Sequence, residues 1–264
     1  MRVIGAKSGL TPIMVVLVAI AWVTLWLWGQ SPYGRYLDHG RWTEIGMAAS
    51  ICRVLPLGDV ALPGLLYAGG WLLMLAAMML PTSLPLLHRF EQLTAARPDR
   101  RVLIALLLAG FLLVWSVFGL AVHFLDITLH LIVRQSDWFL FNGWAVGVAL
   151  LSIAGGFQFS RLKYHCLDKC RTPFSFIVQH WRGPRPYQSA FLLGLHHGAF
   201  CVGCCWAIML LMFIVGTGNV GYMLLLGAIM ALEKNVPWGR RLSRPLGFAL
   251  LGWAAFVATE NLWL

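Results

Sequence analysis

Charged residues are scarce in this chain, and acidic residues are the scarcest. Asp, Glu, Lys and Arg together make up 11% of its 264 residues, and only 10 of those are Asp or Glu. A soluble globular domain carries about a quarter charged residues. Hydrophobic residues instead reach 59%, and 13 residues are tryptophan. This composition excludes an ordinary soluble domain and indicates an integral membrane protein.

Several signatures of enzyme chemistry are also missing. The chain has no P-loop, no G-x-S-x-G nucleophile elbow and no H-E-x-x-H zinc motif. The absence of C-x-x-C-H excludes the usual covalent attachment of haem. The sequence therefore assigns no reaction, and a binding or transfer role is the leading expectation.

Long apolar runs define the expected fold. Each is near the roughly 20 residues that a helix needs to cross a ~30 Å hydrocarbon core. They predict an all-α polytopic membrane bundle, with residues 1–264 forming a single transmembrane domain. The first run is too long for the apolar part of a signal peptide, so we expect a retained span. The seven predicted spans are about 10–28, 63–87, 102–124, 138–158, 189–215, 218–233 and 246–262.

The basic residues predict the orientation. With the N-terminus in the cytoplasm and the C-terminus outside, 16 of the 20 Lys and Arg residues fall in cytoplasmic segments. That bias follows the positive-inside rule and indicates a bacterial plasma membrane. The formal charge of +10 then places basic loops against anionic lipid and requires no nucleic acid.

Three of the six cysteines fall within five residues of a strongly apolar run. Cys201, Cys204 and Cys205 stand at i, i+3 and i+4, so one helix face carries all three. His197 and Met209 extend the same stripe by one turn on either side. Thiolate, imidazole and thioether groups are soft ligands suited to copper(I), and the first two also suit zinc. The alternative is that these cysteines are small buried hydrophobes.

Methionines cluster in the second predicted span. Met74 and Met78 share a face, Met79 follows directly, and Pro81 predicts a kink that frees backbone carbonyls. Met78 and Met79 are therefore candidate thioether ligands facing the cysteines. The alternative is that they fill gaps beside the kink.

A second cysteine pair lies in the predicted cytoplasmic loop after the fourth span. Cys166 and Cys170 are four residues apart, and Lys163 and Lys169 beside them favour the thiolate forms. The pair predicts a site that acquires a soft metal, or part of a site shared with the fifth span. Two surface thiols without a ligand are the alternative, kept reduced in the cytoplasm.

Two charged residues close the sixth predicted span. A charge within lipid usually has a function, so Glu233 and Lys234 are candidates for one. Because both lie near Arg240 at the expected cytoplasmic end, a surface ion pair is the simpler expectation.

These segments together resemble a family described as a predicted metal-binding integral membrane protein. The resemblance covers about residues 63–234 and depends on WLLMLAAMMLPTSLPLL, YHCLDKCRTP and the block with GCCW and a closing EK. One position departs, since Gly218 stands where members tend to have methionine. The resemblance implies a membrane metal site but no reaction. It implicates Cys166, Cys170, Cys201, Cys204, Cys205, Met78, Met79 and, less directly, Glu233.

The leading hypothesis is a membrane protein that takes up, stores or transfers a soft metal, copper(I) before zinc. Cys166 and Cys170 would exchange the metal, and the cysteines of the fifth span would hold it. The alternatives are a thiol or metal redox protein and an accessory or assembly subunit of a larger membrane metalloenzyme. The expected partners are the bilayer and a metal donor or acceptor protein or enzyme complex, which the external segment 30–62 could contact.

Overall fold

The structure is a computed structural model that describes residues 10–31, 61–135, 138, 142–181, 184–215 and 220–262. Almost all of the external segment proposed for docking lies outside these residues, and so does Gly218. Over the described ranges every regular element is helical, which confirms the predicted all-α class for that part of the chain.

Ten α-helices make up the described fold. In chain order they are α1 (Leu10–Gln30), α2 (Ala61–Met78), α3 (Leu80–Leu93), α4 (Arg100–Gln135), α5 (Trp144–Phe157), α6 (Arg161–Arg171), α7 (Pro173–His180), α8 (Pro186–Val215), α9 (Val220–Asn235) and α10 (Ser243–Leu262). A short 3₁₀ turn, Gly239–Leu242, precedes α10.

Between four and six membrane spans are supported by helix length and apolar composition. Four come from α1, α4, α8 and the 3₁₀ turn with α10. Two more arise if the bent pairs α2 with α3 and α5 with α6 each form one span. The predicted sixth span corresponds to α9, which has 16 residues and is not among these candidates. Seven spans and their orientation thus remain predictions.

The kink expected near Pro81 is present. The chain bends by 64° between α2 and α3, and Pro81 lies in the first turn of α3. The Thr82 hydroxyl donates to the Met79 carbonyl oxygen at 2.8 Å, which satisfies an acceptor exposed by the break. The bend turns the end of α2 toward the interior, and Met78 and Met79 are both buried.

The segment predicted as a cytoplasmic loop after residue 158 folds as helix α6 instead. The Ser160 side chain accepts a hydrogen bond from the Lys163 backbone N–H at 3.1 Å and so caps the helix. The chain bends by 61° at this cap, and α6 packs against α8. The cap and the amphipathic pattern of α6 favour a packed helix, and the cytoplasmic location of this segment remains a prediction.

Helix α8 is the centre of the bundle, and its closest partner is α4. A Cβ atom at Gly194 would clash with the Leu107 carbonyl oxygen, and one at Gly110 would clash with the Phe191 carbonyl oxygen. Without a hydrophobic drive between helices in lipid, such small residues let two backbones approach closely. This crossing fixes the helix that carries three of the cysteines.

Candidate metal centre

Sulfur-bearing side chains converge in one buried cluster, here called the sulfur core. Four cysteines from α6 and α8 pack with methionines from α8, α9 and the end of α2. Its sulfur-bearing members are Cys166, Cys201, Cys204, Cys205, Met74, Met78, Met79, Met209, Met212, Met223 and Met230. Each has at most 6% of its surface exposed. The sequence predicted the helical stripe on α8, thioethers of α2 facing it and, as one alternative, a site shared with α6; the tertiary fold added α9.

The three α8 cysteines lie next to one another. The Sγ atoms of Cys204 and Cys205 are 3.4 Å apart, and the Cys204 thiol also contacts the Cys201 carbonyl oxygen at 3.2 Å. The thiols of Cys201 and Cys205, one turn apart, interact as well. All three are free thiols. The helical spacing thus produces a continuous thiol surface, as the sequence predicted.

Helix α6 adds its cysteines to the same core. The Sγ of Cys166 would lie only 2.6 Å from a Cβ at Gly203, so glycine at this position is what lets Cys166 reach α8. Cys170 is half-buried, packs against the sulfur core and interacts with the thiol of Cys204. Of the alternatives considered from sequence, this arrangement favours a region shared between α6 and α8. Sequence analysis missed Gly203, although its place between two cysteines was a signal.

Lys234 supplies a positive charge to this thiol surface. Its Nζ donates to the Sγ of Cys201 at 2.9 Å and to the Thr82 hydroxyl at 3.2 Å. Thr82 in turn donates to the carbonyl oxygen of Met79, so hydrogen bonds link the α2–α3 bend to α8. The surface ion pair expected for Lys234 is wrong, because α9 packs against α8 and α3 and encloses its side chain.

Glu233 points to a different buried partner. Its carboxylate accepts from the Lys163 Nζ at 2.8 and 3.0 Å and from the Ser243 hydroxyl at 2.7 Å. Lys163 also donates to the side-chain oxygen of Gln158. Sequence analysis missed this network, since Lys163 was interpreted only as a flank of Cys166. No local signal could reveal it, because the two charges are 70 residues apart.

His197 lies beside the sulfur core. Its Nε2 is 3.2 Å from the Ser83 hydroxyl, and its ring stacks on Phe111 with centroids 5.5 Å apart. His197 therefore contacts residues of α3 and α4. Its predicted role as a supplementary metal ligand remains a prediction.

Met78 and Met79 occupy the end of α2 where the chain bends. Both are almost completely buried, and Met78 packs against Gly227 of α9, with its Cγ 3.5 Å from a Cβ placed there. The bend thus positions two thioethers within the sulfur core, where the sequence expected a thioether patch. That they bind metal remains a prediction.

A family model described as "PpoB2: Copper chaperone" matches residues 68–257. The chain belongs to this copper chaperone family. The match spans most of the chain and includes every residue that the sequence singled out as a metal ligand. No curated protein and no solved structure matches the chain. A copper chaperone family is consistent with the metal binding that the sequence predicted, while the ligand roles of individual motifs remain predictions.

The residues of this copper chaperone suit copper(I) as cargo. Thiol and thioether groups are the ligands that select copper(I) over harder ions. Within the described ranges, no three His, Cys, Asp or Glu side chains are arranged to hold one metal ion. Copper(I) accepts few ligands and takes thioethers as well, so the donor chemistry of the sulfur core fits this ion.

Proposed function

We propose that this copper chaperone holds copper(I) inside the sulfur core and passes it to a copper-receiving partner. Cys201, Cys204 and Cys205 bind the ion, and Cys166 and Cys170 exchange it between the core and the partner. Supplementary ligands in this proposal are His197, Met78 and Met79. One observation carries the proposal: four buried cysteines from two helices share a core with thioethers from neighbouring helices.

Charge balance supports copper(I) as the cargo. Burying an ion is costly unless opposite charges neutralise it. When two of the three α8 cysteines bind as thiolates and the third as a neutral thiol, one copper(I) ion leaves a single negative charge, which the ammonium group of Lys234 beside Cys201 offsets. The same two thiolates with zinc(II) would sum to zero and leave the buried charge of Lys234 without a counter-charge. The fixed charge therefore favours the monovalent ion.

A gradient of burial along the cysteines supports a route for copper between the protein surface and the sulfur core. Cys170 is half-buried, Cys166 retains 6% exposure, and Cys204 retains 1%. Thiols with graded exposure allow an ion to move between sulfur atoms without leaving its ligands altogether. Cys170 is accordingly the position where we propose that an acceptor protein receives the copper.

We also propose seven spans, with a cytoplasmic N-terminus and an external C-terminus in the bacterial plasma membrane. The 16 residues of α9 extend about 24 Å, slightly less than the hydrocarbon core, and its buried Glu233 and Lys234 are satisfied within the bundle. Reporter fusions after residues 98, 183 and 237 test this topology. All three should report the cytoplasm, and a periplasmic signal at 237 would contradict α9 as the sixth span.

Elemental analysis of the purified protein tests the metal proposal. The wild type, grown with copper, should contain copper that is lost when Cys201, Cys204 and Cys205 are all changed to serine. Cys52→Ser is the matched control, because Cys52 lies outside the region that matches the family. Equal copper in the triple variant and the control would overturn the proposal. A reversible disulfide in a copper-free wild type would favour the redox alternative.

A further inference from the structure

A pair of histidines outside the sulfur core has a ring separation compatible with two ligands on one metal ion. His180 ends α7 and His196 lies on α8, and their ring centroids are 4.8 Å apart with an angle of 49° between the ring planes. His180 is half-buried and His196 is exposed, so the pair lies at the protein surface. Sequence analysis did not single out either residue.

The tautomer of His180 is set by the backbone. Its Nδ1 lies 2.9 Å from the Phe176 carbonyl oxygen, and a carbonyl oxygen only accepts. Nδ1 therefore carries the proton, and Nε2 of the neutral ring keeps a free lone pair. Metal-binding histidines are oriented in this way by a hydrogen bond from the other ring nitrogen. The Phe176 ring, stacked on His180 at 4.3 Å, further fixes the imidazole.

The separation of the rings matches two ligands on one ion. With metal–nitrogen bonds of about 2.0–2.1 Å, each ring centroid lies about 3.2 Å from the metal, so ligands at roughly 90–110° have centroids about 4.5–5.3 Å apart. The observed 4.8 Å falls within this interval. Both rings are on packed helices, since Trp181 directly after α7 contacts Phe90 of α3 edge to face at 5.0 Å.

His196 places an ionisable side chain on the exposed face of an apolar helix, which is unfavourable unless the side chain has a function. It is exposed within Pro186–Met212, which is apolar enough to span a membrane. Ionisable residues in such segments usually serve binding or transfer. His196 also precedes Cys201 by five residues, or about 7.5 Å along the α8 axis. Residues five apart point to different faces of a helix, so an ion held there reaches the thiols by moving along α8 and around it.

We propose that His180 and His196 form a surface docking site where copper first binds before it enters the sulfur core. This inference rests on the proposed function, because the core is its destination. Two imidazoles leave the remaining coordination positions of the ion open to a donor and to the next ligand. Imidazole is a suitable ligand for copper.

Two measurements on the full-length protein in nanodiscs test the docking site. Copper(I) supplied from a weak coloured chelate should load His180→Asn/His196→Asn at least about tenfold more slowly, since even changes to groups around a metal ligand cost 10–100-fold in affinity. The final copper content should equal that of the wild type. One equivalent of copper(II), used as a spectroscopic probe, should show coupling to two nitrogens that the double variant lacks.

Matched variants separate the possible outcomes. His88→Asn alters an imidazole that contacts Gln92 at the surface, and should load like the wild type. His196→Asn alone keeps the packing of α7 and should already slow loading. Unchanged rates and unchanged nitrogen coupling in the double variant would overturn the docking site, leaving aromatic packing as the role of the pair. Failure of the proposed copper site in the sulfur core would give a different result, because the triple cysteine variant would then retain copper.

Discussion

The Nζ of Lys234 lies 2.9 Å from the Sγ of Cys201, and both side chains are buried. An ammonium group in this position is the charge complement that a buried thiolate requires. The second contact of Lys234, with Thr82, holds the lysine between α3 and α8. Lysine, and not only cysteine, therefore belongs to the candidate copper site.

Lys234→Met should weaken copper(I) binding at least about tenfold. A hydrogen bond to a charged group contributes about 1.5–3 kcal/mol, and each 1.4 kcal/mol corresponds to about a factor of ten in affinity. Competition with a coloured copper(I) chelator measures the affinity. Arg89→Met is the control, because Arg89 contacts Gln92 at an exposed position. Equal affinities for the two variants would contradict a role for Lys234.

Gly203→Ala should push α6 away from α8. The added Cβ would lie 2.6 Å from the Cys166 Sγ, so the sulfur or its helix must move. We expect a loss of about 1–3 kcal/mol in stability. Cys166 should also be alkylated faster, as measured by mass spectrometry. Gly156→Ala is the matched control, since nothing lies within 4 Å of a Cβ at that position. Wild-type alkylation of Cys166 in the Gly203 variant would show that the close approach is unimportant.

Glu233→Gln should destabilise the bundle by about 3–5 kcal/mol, because it leaves the buried Lys163 charge without its partner. The double variant Lys163→Gln/Glu233→Gln removes both charges and should recover much of that loss. Unfolding temperatures in detergent provide the comparison as a double-mutant cycle. If the two single changes simply add, the ion pair does not couple α6 to α9.

Gly194→Ala should disturb the crossing of α4 and α8. The new methyl group would meet the Leu107 carbonyl oxygen, which is backbone and cannot rotate away. We expect a lower unfolding temperature and a stability loss of about 1–3 kcal/mol. Gly252→Ala, with open space around its Cβ, should leave the unfolding temperature unchanged. Similar behaviour of the two variants would mean that the crossing tolerates a wider separation.

Local patterns in the sequence were sufficient for the helices and for part of the site. Apolar run length predicted α1, α4, α8 and α10, because the thickness of the bilayer sets that length directly. Pro81 predicted the bend, since proline removes a backbone donor wherever it lies in a helix. The thiol surface of α8 followed from i, i+3 and i+4 spacing alone.

The errors arose where a side chain finds its partner on another helix. Lys234 was expected at the surface because its neighbours in sequence are polar, yet α3 and α8 enclose it. Lys163 in the α6 segment was interpreted only as a flank of Cys166. Lys163, however, is neutralised by Glu233. Neither pairing leaves a trace in the local sequence.

The amino-acid sequence by itself determined a helical, sulfur-rich protein with candidate membrane spans, because helix length and the spacing of residues on one helix face are local properties. Only the tertiary structure decided which sulfur atoms meet and which charges accompany them. Contacts such as Cys166 with Gly203 and Lys234 with Cys201 depend on how closely helices pack and at what angle. Close packing in an apolar interior lets small residues set that distance, and it makes buried charges stable only beside a partner.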